Sequence, residues 1–127
     1  MARDLGVYRR EDVIEVPPDS WRVREGAVDL CDRPLGNEYA VGEFWSRPAI
    51  ELDLPLFAEV YGPGFDHGIR WSGPQLQAVG AEVDKLEVYW ATAGLPPETM
   101  AYLRERAGFV REAVAVAEAC GGWVIII

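Results

Sequence analysis

Histidine occurs once in this chain, at His67, and lysine once, at Lys85; cysteine occurs twice, at Cys31 and Cys120. One imidazole and two widely separated thiols, with no CxxC and no HExxH, leave a zinc ion almost no ligands, so no metal is expected. Gly62-Pro63-Gly64 lacks both the GxxxxGK[ST] pattern and a nearby lysine, which disfavours a phosphate loop and leaves no cofactor expected. The longest apolar run, Trp123 to Ile127, has the length of a strand and falls far short of the roughly 20 residues of a membrane helix. Charges, not an apolar signal core, follow Met1. These absences predict a soluble, cytoplasmic protein with no membrane partner. In a reducing compartment the two cysteines are expected as free thiols.

Positive charge is also scarce: 12 basic residues stand against 21 acidic ones, for a net charge of −9. Nucleic-acid binding depends on Lys and Arg displacing counterions, so no nucleic-acid partner is expected. An acidic surface suits a basic protein partner, because complementary charge steers encounter.

What is present is globular in composition, with half of the 127 residues hydrophobic, and the length predicts one domain. The first half reads as short strands and turns. Val7-Tyr8 and Val13 to Val16 have β character, the second stopped by Pro17-Pro18. Trp21-Arg22-Val23-Arg24 alternates apolar with polar, and Ala27 to Cys31 reads as the returning strand of a hairpin. Residues 33–37 read as a loop. Tyr39, Val41 and Trp45, then Ile50, Leu52 and Leu54, alternate as two further strands. Pro55 to Tyr61 reads as a short bridging helix.

The second half changes period. Ser72 with Gln75 and Pro74 has the form of a capping box, and Leu76, Val79, Val83, Leu86 and Trp90 make the apolar stripe of a helix. Glu82 falls on the side left for solvent. A second helix starts near Pro97, carries Met100, Leu103, Ala107, Val110, Val114 and Ala117, and ends at Gly121-Gly122. The unalternating tail 123–127 predicts a strand buried on both faces. The expected fold class is α+β: an antiparallel or mixed sheet, built from the N-terminal half and the C-terminal strand, with two amphipathic helices on one face.

The segment YGPGFDHGIRWSG, residues 61–73, gathers the candidate site residues Tyr61, Phe65, Asp66, His67, Arg70 and Trp71, to which Trp45 is added from a second Arg/Pro-bearing stretch. Glycine and proline fix turns, and loops held between rigid elements often carry binding residues. The serines lie in no GxSxG context, and Cys120 follows an apolar helix end, so His67 has no visible nucleophile to serve and no catalytic residue is assigned. The expected function is therefore that of a non-enzymatic interaction protein. Acids such as Glu43, Glu51, Asp53, Glu59 and Asp66 would face the basic partner, with Trp45, Tyr61 and Trp71 as anchors. In its small size, acidity and aromatic content the chain resembles bacterial toxin-neutralising immunity proteins and other small inhibitors. Two alternatives stand beside this: a small-molecule site or minor enzyme around Gly62 to Gly73, with Arg70 on an anionic group, and a structural subunit that forms a homodimer.

Overall fold

In the computed structural model, residues 2–61 and 68–127 are described. The protein is α+β. Strand β1 (Ala2–Tyr8) is followed by a hairpin of β2 (Val13–Val16) and β3 (Ser20–Val23), then by β4 (Arg33–Asn37). A helical segment follows: α1 (Glu38–Val41), a π turn (Gly42–Ser46) and α2 (Arg47–Glu51). Helix α3 (Pro55–Ala58), β5 (Ile69–Trp71), the long helices α4 (Pro74–Thr92) and α5 (Pro97–Cys120), and β6 (Trp123–Ile126) complete the chain.

The main sheet runs β4-β1-β6-β5, antiparallel at every pairing, and β2–β3 forms a separate two-stranded sheet. Trp123–Ile126 of the apolar tail is thus an interior strand, as its composition predicts, while Ile127, predicted as part of it, is 56% exposed. Leu5, Val7, Val124 and Ile126 face the main core. They meet Leu103, Ala107, Val110, Ala113, Val114 and Ala117 of α5, while the stripe Leu76 to Trp90 of α4 closes the same core. Gly121 ends α5 in the left-handed conformation, φ 64°.

The other face is treated differently. Ile125 is fully buried yet stands outside the main core. Arg70, opposite Ile125 in the ladder, lies over the rings of Trp123 (4.4 Å) and Trp21 (5.5 Å) and pairs with Glu15. Those contacts draw the β2–β3 hairpin over that face.

Four local expectations are corrected. Residues 38–51 are helical where strands were predicted: Val41, Trp45 and Ala49 recur at four-residue intervals and share one buried side, and Asn37 caps the segment by accepting from the Ala40 N–H at 2.8 Å. Ile50 and Leu52 completed an apparent alternation only because apolar residues also occur on exposed surface. Residues 33–37 form a strand instead of a loop, and Pro34 is tolerated there because the strand lies at the sheet edge and its pairing is irregular beside Asp4. Segment 27–31 forms no ladder. Leu30 N–H donates to Val7 O at 2.8 Å, and Asp29 Oδ1 accepts from the N–H groups of Val7, Cys31 and Asp32. Finally, Ser72 is not the cap of α4. Gly73 flanks that helix with no side-chain cap, and only the reverse arm of a capping box is made, Ser72 N–H to Gln75 Oε1 at 3.2 Å.

Candidate interaction surface

Among the residues proposed for recognition, Phe65, Asp66 and His67 lie outside the described residues. Trp45 and Trp71 require correction, since they are 0% and 2% exposed. A file of tilted and edge-on rings explains why: Trp71 meets Phe57 at 5.2 Å, Phe57 meets Trp45 at 5.1 Å, and Trp45 meets Trp90 edge-on at 4.9 Å. Trp90 Nε1 donates to Phe44 O at 2.7 Å, so its polar atom is satisfied inside. A side chain with no exposed surface offers a partner nothing while the domain stays folded. Arg70 is largely occupied too, held by Glu15 and by two indole rings; the guanidinium hydrogen bond holds the Glu15 carboxyl below its ordinary value and pushes Arg70 up.

The thiols are unremarkable chemically. Both are free; Cys120 is exposed and Cys31 is half-buried, its pKa pushed up to about 11 chiefly by burial and then by the charges of Glu112 and Asp29. Such a thiol is a poor nucleophile at neutral pH. Among the described residues no cluster of three or more His, Cys, Asp or Glu side chains could hold a metal ion. No described helix is long and apolar enough to cross a membrane.

Exposed apolar surface points elsewhere. Tyr39 (73% exposed), Ile50 (61%) and Tyr61 (48%) line one groove of about 670 Å³ together with Gly42, Glu43, Ser46, Arg47 and Glu51. Val88 (67%) and Leu52 (40%) line the next one, of about 490 Å³, with Asp84, Lys85 and Tyr89. The two are joined by Tyr89, whose hydroxyl donates to Glu51 at 3.3 Å. The Glu51 charge is the leading reason that the Tyr89 phenol is raised above its ordinary value, followed by burial. Grouped apolar side chains rimmed by charge are the usual mark of an interaction site, whereas scattered ones are not.

The groove is built by local backbone irregularity. The Arg47 N–H donates to Gly42 O, five residues back, which is the π turn. Single π turns inside helices recur at functional sites. Gly42 lets the Tyr61 ring come close: a Cβ at that position would lie 3.2 Å from the ring, a tight contact that the ring would relieve by shifting a few tenths of an ångström. Buried Ser46 donates its hydroxyl to Ala58 O at 2.8 Å, tying the π turn to the segment that leads to Tyr61. From the other side, the buried Glu82 carboxylate accepts from the N–H groups of Leu56 and Phe57 at 3.1 and 3.0 Å. It thus caps α3 from α4, contrary to the solvent role predicted for it.

Of the anticipated residues, then, Tyr61, Glu43 and Glu51 come together in the groove. Tyr39 and Ile50 were missed because a strand alternation placed them on an inward face, and Val88 because a residue on the polar side of a helix gives no periodic signal. The chain matches no protein-family model, no curated protein and no solved structure.

Proposed function

We propose that this protein is a non-enzymatic interaction module that binds a basic protein partner through the Tyr39–Ile50–Tyr61 groove and the adjoining Val88 surface. The observation that carries this reading is the gathering of five exposed large apolar side chains on one face, next to the carboxylates Glu43 and Glu51. The net charge of −9 favours encounter with a basic surface, and tyrosine anchors supply contact area at small conformational cost. An inhibitor or immunity-type role is the form of this activity that the composition suggests.

The experiment compares Ile50→Glu with Val28→Glu, a change at an equally exposed valine outside the groove (60% exposed). With the wild-type protein as bait, a stoichiometric basic partner should be retained and should be released by added salt. Ile50→Glu should lose it and Val28→Glu should keep it. Retention by both variants, or loss by both, would refute the assignment of the groove. Recovery of this chain alone, as a concentration-dependent dimer, would favour the structural-subunit reading.

A further inference from the structure

We propose that the groove takes the guanidinium of a partner arginine, and that Arg47 holds that place in the free protein. This rests on the interaction reading above and names what the groove recognises. Arg47 Nη1 lies 3.1 Å from one Glu43 oxygen and 3.4 Å from the other, on a side chain that is 67% exposed. An exposed pair four residues apart on a helix shifts an equilibrium by only about twofold, so an incoming cation displaces it at little cost. Once Arg47 swings into solvent, the groove presents two carboxylates and two phenol rings. Glu51 is held in position by the Tyr89 hydroxyl through one oxygen, which leaves the other free to accept. The Tyr61 ring rests against Gly42 on one side and offers its remaining exposed surface to the groove.

This combination suits arginine better than lysine. A planar guanidinium stacks on an aromatic ring while forking onto a carboxylate, and an ammonium is a more strongly hydrated point charge that cannot do both. The chain itself uses the same chemistry elsewhere. Arg70 lies over Trp123 and pairs with Glu15, and Arg33 lies over Phe109 at 5.2 Å while its Nε pairs with Glu112 at 3.1 Å. In the groove, the ring and the carboxylates are exposed and the arginine that pairs there is the weakly held Arg47.

The test is an NMR titration of the full chain with N-acetyl-arginine amide, N-acetyl-lysine amide and N-acetyl-glutamate amide. The arginine probe should move the amide signals of Gly42, Glu43, Ser46 and Tyr61, and should bind at least threefold more tightly than the lysine probe. Arg47→Ala, at an exposed position, should tighten arginine binding two- to threefold, and Glu51→Gln should weaken it fivefold or more with the rest of the spectrum unchanged. Weaker arginine binding by Arg47→Ala would show that Arg47 does not occupy the place the arginine takes, and preference for the glutamate probe would show that Arg47 receives an anion; either would overturn the proposal. Equal binding of arginine and lysine, or no shift at all, would overturn it as well. If the titration is silent while Ile50→Glu still abolishes partner capture, the cation assignment fails and the interaction surface stands. Arginine binding with capture unaffected by Ile50→Glu separates the opposite failure.

Discussion

Replacing Glu82 by alanine perturbs the junction on which the groove depends. The carboxylate is 5% exposed and accepts two backbone N–H bonds, from Leu56 and Phe57, at the start of a one-turn helix that has no side-chain cap of its own. Hydrogen bonds to a charged acceptor contribute about 1.5–3 kcal/mol each, and an orphaned buried donor costs about 1–3 kcal/mol. Leu56 N–H is only partly buried, so water recovers some of its loss. The expected destabilisation is therefore about 2–4 kcal/mol, a large part of the roughly 5–15 kcal/mol of a typical domain. Phe57 sits between Trp45 and Trp71, so urea unfolding followed by tryptophan fluorescence reports directly on this region. Glu82→Gln, which keeps one acceptor oxygen, should lose about half as much. A Glu82→Ala midpoint corresponding to less than about 1 kcal/mol would refute the view that α4 holds α3, and with it Tyr61, in place.

Three further outcomes are expected. Ser72→Ala should change the denaturation midpoint by less than about 0.5 kcal/mol, because α4 begins after Gly73 without a side-chain cap; a loss near 1 kcal/mol would restore serine as the cap. At pH 8, a thiol reagent should modify exposed Cys120 quickly and Cys31 slowly, since a thiol with a pKa of about 11 is about one-thousandth thiolate there; equal rates would contradict the burial of Cys31. The Glu15 carboxyl is held below its ordinary value of 4.5 by Arg70, so its contribution to stability is present above that value and is lost as pH falls through the lower folded-state value. Glu15→Gln should accordingly differ from wild type at pH 6 and converge on it in acid; a difference that persists or grows in acid would reverse the sign.

The fold class was legible because its strongest signals are long or extreme. The stripes of α4 and α5 repeat over several turns, Gly121 marks a left-handed end, and the unbroken apolar run from Trp123 supplies the interior strand Trp123–Ile126. Residues 38–54 misled because Val41 and Trp45 are spaced for a helix, while exposed Ile50 and Leu52 imitated a strand alternation. Segment 33–37 was hidden by its proline and glycine, which suit a loop in isolation and an edge strand once β1 is beside them. The same limits govern the candidate site. Tryptophans next to Arg and Pro suggested surface anchors, but Trp45 and Trp71 are buried by contacts with Phe57 and Trp90 that no local pattern announces. Tyr61, Glu43 and Glu51 were legible individually, as aromatic and acidic residues near turns. Their convergence depends on the π turn and on Glu82 reaching across from α4, which are tertiary facts.

The most direct measurement places a photo-crosslinking amino acid at position 50 and, separately, at position 28, and irradiates the protein in its native extract. Position 50 should give one adduct, with a protein of net positive charge and in a yield that falls as salt is raised, and position 28 should give no matching adduct. Adducts of equal yield from both positions, or an adduct from position 50 that is acidic and insensitive to salt, would contradict the assignment of the groove.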